Sequence, residues 1–271
     1  MFIVNRYTVT PVRKEPSEGS EQLTQLLFGE VCELLDRLPR WTKIRSIVDG
    51  QEGWVDFKML SPAYDLSPVI YNLPTTVVAV PMAVATAMET GEELMLTLGT
   101  RLPNYVHGTF EVLGKQYLID PVCVNNATQL LNSDLSRAEL LNNVSAIAQT
   151  LLNTPYLWGG KNAMGMDCSG FTQVVYSVFG VNLLRNAREQ ISQGIAVASL
   201  VEAQPGDLAF FDHADRDPEA TNISHVGLLL DNKTIIHCSG CVHVDDIDAM
   251  GIHLSNGELT HHLVQVKRYL Q

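Results

Sequence analysis

Residues 155–180 read PYLWGGKNAMGMDCSGFTQVVYSVFG, and the reading of this stretch decides the fold. After Cys168 the apolar residues Phe171, Val174, Val175, Val178 and Phe179 recur at three-and-four spacing, the signature of one helix face, and Gly180 supplies a stop. Cys168 therefore falls in the first turn of a helix. A thiol there meets the positive end of the helix dipole and unpaired backbone N–H groups, so its pKa is expected to fall toward thiolate. Gly159, Gly160 and Gly165 just upstream let backbone come close and leave room for a groove.

A nucleophilic thiolate needs a base within reach, and the base needs an orienting partner. Residues 224–240, SHVGLLLDNKTIIHCSG, supply both on a β-hairpin. One strand runs from His225 to about Leu230, the turn is Asp231-Asn232-Lys233, and the return strand ends near His237. With three residues in the loop, Leu230 faces Thr234, and His225 faces Ser239 and sits diagonal to His237 on one face. Diagonal neighbours lie roughly 7–8 Å apart at the backbone, within reach of two imidazoles. A two-residue loop would turn the histidines to opposite faces, so the odd loop is the expectation.

Upstream, SRAELLNNVSAIAQTLLN (136–153) carries Leu140, Leu141, Val144, Ile147, Ala148, Leu151 and Leu152 at helical spacing, with Asp134 and Ser136 where a cap belongs. From 136 to 271 the pattern is that of one α+β domain. Residues 1–61 instead break into short strands between turns at Pro16, Gly19, Gly29, Asp49 and Gly50, which suits a small β-barrel. After a Pro-rich joint, SPAYDLSP (61–68), residues 75–124 again read as strands and predict a second, divergent barrel.

The runs DCSGF (167–171), SHVG (224–227) and H-x-S-G (237–240) together resemble the NlpC/P60 peptidases, whose catalytic part is a reduced papain-like fold. RKEPS, LLFGE, W-x-K-I-R, EGWV and the closing Leu60 resemble bacterial SH3 (SH3b) domains. The fold these resemblances imply is α+β: a papain-like NlpC/P60 catalytic domain at 136–271, preceded by SH3-like barrels at 1–61 and 75–124. They also imply roles. Cys168 attacks a carbonyl, His225 takes the thiol proton and returns it to the leaving amine, and His237 orients His225. The Tyr156 hydroxyl and the Cys168 N–H steady the oxyanion.

Chains of this architecture are similar to the dipeptidyl-peptidase VI group, γ-D-glutamyl-L-diamino-acid endopeptidases that release L-Ala-D-Glu from peptides with a free N-terminal L-alanine. On that likeness Asp167 is the expected partner of the substrate ammonium, and Ser169 a donor to the glutamyl carboxylate. Glu15 is the expected contribution of the first barrel to the amine pocket. Gln51 stands where relatives often carry an aromatic, so one wall of that pocket differs.

Composition narrows the partners. With 30 acidic against 18 basic residues the formal net charge is -12, which repels nucleic acid and anionic lipid. A murein-derived peptide fits better than intact anionic wall, and no nucleic acid, membrane or cofactor is expected. Five cysteines form no dense framework, as in a reducing compartment. The N-terminal stretch MFIVNRYTVTPVRKEP does not read as a signal peptide, so a cytoplasmic location is expected.

Other patterns have plainer readings. Cys238-x-x-Cys241 with His237 and His243 has the look of a metal cluster, but zinc there would consume His237, and alternation along the strand splits the side chains between faces. No metal is expected. Asp167 also suits a helix N-cap. His107, His213, His253, His261 and His262 carry no motif and are expected at the surface. The alternative functions are a non-catalytic module that binds wall peptide, or an amidase or acyltransferase on the same fold.

Overall fold

The structure, a computed structural model, describes residues 1–63, 76–126, 136–213 and 222–270, the side chains of Arg137 and His213 apart. Strands β1 (Phe2–Asn5), β2 (Val9–Arg13), β3 (Gln22–Leu27), β4 (Val31–Arg37), β5 (Trp41–Ser46), β6 (Glu52–Asp56) and β7 (Leu60–Pro62) form one antiparallel sheet, ordered β3-β2-β6-β5-β4-β1-β7. Side chains alternate between faces along a strand, so β2 and β6 bury every second residue. Their inward set, with Ile3, Leu26, Cys32 and Ile44, is the core of this unit.

Seven further strands follow: β8 (Thr76–Val78), β9 (Met82–Ala87), β10 (Glu93–Thr97), β11 (Arg101–Leu102), β12 (Thr109–Val112), β13 (Lys115–Ile119) and β14 (Val124–Asn126). They make two small sheets, β10-β9-β13-β12 and β11-β8-β14. Phe28 and Val31 of the first unit share a core with Ala85, Leu96, Phe110 and Ile119, so the two units are packed as one body.

The C-terminal part opens with α1 (Arg137–Gln149), started by a capping box between Ser136 and Glu139. Asp134, the other expected cap, lies outside the described residues. Leu152 falls beyond the helix and is exposed rather than packed. A short hairpin, β15 (Lys161–Asn162) and β16 (Gly165–Met166), leads into α2 (Cys168–Ser177), and α3 (Ala187–Gln190) follows. The last sheet comprises β17 (Ile195–Val197), β18 (Leu208–His213), β19 (His225–Leu229), β20 (Thr234–Ser239), β21 (Cys241–Ile247), β22 (Gly251–His253) and β23 (Leu259–Arg268). Its order is β17-β23-β18-β19-β20-β21-β22, and β22 also pairs with β23, so six strands close on themselves.

Helix α2 lies across that sheet. Phe171, Val174 and Val175 pack with Leu208, Phe210, Val226, Leu228 and Ile236 in one buried cluster. Each such side chain contributes roughly 1.5–3 kcal/mol on burial, which fixes the helix, and Cys168 at its start, against β19. Among the described residues no helix is long and apolar enough to cross a membrane.

Candidate active site

Asp167 caps α2, its Oδ1 accepting the Gly170 N–H at 2.7 Å. A side chain at Gly170 would collide with the Gly160 carbonyl oxygen, so glycine is what allows the 155–160 loop to cross the helix start. Cys168 is thus the first residue of the helix, as its spacing predicts. Its thiol is buried and accepts the backbone N–H groups of Val226 and Ser169. The expected fall in pKa does not occur. Burial, seconded by the Asp167 carboxylate, outweighs those N–H groups and pushes the thiol up to about 12. The resting residue is a thiol that needs a proton acceptor.

Val226 brings the neighbouring His225 to the same place. β19 and β20 pair Gly227 with His237 and Leu228 with Ile236, so His225 is diagonal to His237, the register that the three-residue loop predicts. Gly227 is required by that crossing: a Cβ there would come within 2.8 Å of the His237 Cβ and 2.6 Å of Ile235 Cδ1. Nε2 of His225 lies 2.8 Å from Nδ1 of His237, and both residues are buried.

Sequence reasoning missed the next member. Nε2 of His237 meets Asp245 Oδ2 at 3.1 Å, and Nε2 of His243 meets the same oxygen at 3.1 Å. A carboxylate only accepts, so His237 carries its proton on Nε2. Nδ1 is then the acceptor for His225 Nε2–H, which puts the His225 lone pair on Nδ1. Burial pushes the His237 pKa down against the pull of Asp245, which keeps this ring neutral. Hydrogen bonding to His237, opposed by burial, holds the Asp245 carboxyl below its ordinary value.

His261 is also not the surface bystander expected. Arriving on β23, its ring lies 4.5 Å from that of His225, tilted by 32°. His107 and His262 are exposed as expected, and His253 is half-buried beside Asp248. The His213 side chain lies outside the described residues.

Tyr156 is bound to the floor of the site through its backbone, N–H to the Gly240 carbonyl at 2.8 Å. Its hydroxyl makes no hydrogen bond among the described residues. Burial and the nearby charges of Cys168 and Asp167 hold the phenol above its ordinary pKa, so it remains a donor.

Asp167 and Ser169 need correction as substrate-binding groups. Arg185, fully buried, grips the Asp167 carboxylate with Nη2–Oδ2 at 2.6 Å and Nη1–Oδ1 at 3.0 Å. Asp167 also accepts the N–H groups of Gly170 and Gly159 and the Ser169 hydroxyl, so its acceptor positions are filled. Ser169 in turn accepts Arg185 Nη1 at 2.9 Å. Neither is free to meet a ligand. Burial opposes the charge on Arg185, but Asp167 outweighs it and raises the guanidinium pKa.

Glu15, the expected contribution of the first barrel, takes no part in these contacts. It is exposed, and its side chain makes no hydrogen bond or ion pair among the described residues. The carboxylate that the barrel brings to the 155–160 loop is Glu21, which accepts the Trp158 indole N–H at 3.0 Å, while Gln22 donates to the Trp158 carbonyl.

The barrel is fixed firmly behind the site. Arg185 Nε donates to Thr24 on β3, Lys161 pairs with Glu30 at 2.8 Å with both side chains buried, and Gln25 accepts from Lys161 and Asn162. Gln173 of α2 donates to Asp49. The Cys-x-x-Cys pattern does not converge on a metal, because Cys238 turns inward to the Met166 carbonyl.

Comparison with known proteins agrees with this architecture. Residues 153–268 match the NlpC/P60 family and residues 8–61 the bacterial SH3 domain. The chain is 28% identical over 235 residues to the γ-D-glutamyl-L-lysine dipeptidyl-peptidase of Bacillus cereus, an alignment covering 79% of this chain and 66% of that protein. To the protein of the same name from Bacillus subtilis it is 26% identical over 226 residues, covering 79% and 71%. The crystal structure of an NlpC/P60 family protein from Bacillus cereus shares the fold over the full length of both chains, with a TM-score of 0.80 at 20% identity. The chain therefore carries an NlpC/P60 domain behind a bacterial SH3 domain.

Proposed function

We propose that this chain is a cysteine peptidase that hydrolyses the γ-D-glutamyl–diamino acid bond of murein-derived peptides with a free N-terminal L-alanine, releasing L-Ala-D-Glu. The observation that carries it is the line His225, His237, Asp245 beside Cys168, whose thiol meets the Val226 N–H next to His225. The names of the Bacillus relatives support the bond. The net charge of -12 supports small soluble peptides, turned over in the cytoplasm, rather than intact wall.

The mechanism follows from the hydrogen-bond polarity. Asp245 holds the His237 proton on Nε2, and His237 Nδ1 holds the His225 proton on Nε2. His225 Nδ1 takes the Cys168 thiol proton as sulfur attacks the glutamyl carbonyl carbon. The Cys168 backbone N–H and the Tyr156 hydroxyl stabilise the oxyanion. As the C–N bond breaks, His225 Nδ1 returns the proton to the diamino-acid nitrogen and a thioester remains. Water, deprotonated by His225, attacks the thioester, and the sulfur leaves as thiol. With Asp167 committed to Arg185, Glu21 is the residue we assign to the substrate ammonium.

The test is mass spectrometry of products from L-Ala-γ-D-Glu-diaminopimelate beside its N-acetylated copy. Release of L-Ala-D-Glu from the free peptide alone is expected. Equal cleavage of both would overturn the amine requirement, and cleavage of neither would overturn the peptidase.

A further inference from the structure

We infer that His237, Asp245 and His243 form a site for a divalent transition-metal ion such as Zn²⁺, and that filling it switches the peptidase off by reversing the tautomers of His237 and His225. The switching part rests on the proposed mechanism; the site itself does not. His237 and His243 are cross-strand partners on β20 and β21, with rings 4.5 Å apart. Asp245 lies two residues further along β21, on the same face. The donor atoms of the three residues all lie within 4.8 Å of one another. Ligands 2.0–2.1 Å from a tetrahedral zinc sit about 3.4 Å apart, so closing on an ion takes side-chain shifts of about an ångström.

The chemistry of the set fits. Two imidazoles and one carboxylate suit a borderline cation, and three protein ligands leave a fourth position for water. His237 is buried, whereas the His243 side chain is 33% exposed and Asp245 18%, so the site opens to solvent on one side only. The second nitrogens are already placed. Nδ1 of His243 donates to the Cys241 carbonyl at 2.8 Å, which aims Nε2 at the ion. Nδ1 of His237 faces His225.

That last contact makes the site a switch. Imidazole binds metal through a lone pair, so a metal on His237 Nε2 moves that ring's proton to Nδ1. Nδ1–H then donates to His225 Nε2, which becomes an acceptor, and the His225 proton moves to Nδ1. This is the atom that takes the Cys168 proton, and it is now occupied. Both rings stay neutral. His243 meets the ion as the Nδ1–H tautomer held by the Cys241 carbonyl, with its Nε2 lone pair toward the ion. The Cys-x-x-Cys pattern takes no part.

The experiment has two arms, both on the full chain. In the first, Zn²⁺ binding to Cys168→Ala is measured against a chromophoric chelator, with and without His243→Asn. One site is expected, weakened at least 10-fold by His243→Asn. No binding to Cys168→Ala, or equal binding with and without the second change, overturns the site whether or not any peptide is cut. In the second arm, hydrolysis is titrated with Zn²⁺ and restored with EDTA. With each rate taken relative to the same protein's metal-free value, His243→Asn should need at least 10-fold more Zn²⁺ for half inhibition. Equal sensitivity of the two proteins would mean that zinc acts on the thiol, and would overturn the switch.

Discussion

Nε2 of His225 stands 2.8 Å from Nδ1 of His237, with a glycine at position 227 because any side chain there would strike His237. The contact has a direction, set from its far end by Asp245. His237→Ala leaves His225 without a partner for Nε2–H, and kcat/KM should fall by about 10²–10⁴-fold. His237→Gln, whose carbonyl can accept that proton, should recover part of the loss. Equal rates for the two variants would show that His237 acts only by filling space.

Asp245→Asn tests the far end. An amide can present either an acceptor or a donor to His237, so the tautomer is no longer imposed. A charge-assisted hydrogen bond contributes about 1.5–3 kcal/mol, which corresponds to roughly 10–100-fold in kcat. KM should hardly change, because Asp245 is separated from Cys168 by two imidazoles. A rise in KM alone would contradict this.

The Cys168 thiol, pushed up to about 12 by burial and by Asp167, cannot ionise by itself near neutrality. Alkylation by iodoacetamide at pH 7 should therefore depend on His225. His225→Ala should slow it by at least about 10²-fold, with the rate recovering only in alkali. Rapid alkylation of that variant at pH 7 would place the activation in the helix dipole instead.

How much of this was legible in the sequence depends on range. The start of α2 is local: a cap, a cysteine and an apolar period lie within a dozen residues, so DCSGFTQVVYSVFG suffices. The hairpin register is a matter of parity, and SHVGLLLDNKTIIHCSG carries it. His261 is different. It reaches His225 from β23, which pairs with β18 and β22, and no local spacing links positions 225 and 261. Arg185 comes from an irregular stretch, and its choice of Asp167 is made by packing against Thr24 of the barrel. The thiol pKa failed for a related reason. The helix N-terminus is visible in sequence, whereas burial is a sum over the whole tertiary structure.

The Asp167–Arg185 pair makes a stability prediction. Both side chains are nearly inaccessible, and Arg185→Met would leave the Asp167 carboxylate buried with only neutral partners. Breaking one side of a buried pair costs about 3–5 kcal/mol. Adding Asp167→Asn, which keeps a carbonyl for the Gly170 cap, should return part of that loss. The double-mutant cycle in urea should show a coupling of at least about 1 kcal/mol. Additive losses would mean that the pair is incidental to folding.

Asp49 ties the barrel to α2 through Gln173 and should make that junction sensitive to acid. Burial pushes the Asp49 carboxyl up, but the Lys161 charge and the bonds from Gln173 and Gln51 hold it below its ordinary value. A carboxylate with a depressed folded pKa contributes stability that is fully present above its unfolded value, near 3.9. That contribution is lost as pH falls through the folded value. Asp49→Asn should thus cost about 1.5–3 kcal/mol at pH 7, as the bonds to a charged group are weakened. The gap between the two proteins in urea unfolding should stay constant down to about pH 5 and narrow below pH 4, where the wild-type carboxylate also becomes neutral. A gap that did not change with pH would show that the shape of the side chain, and not its charge, secures the junction.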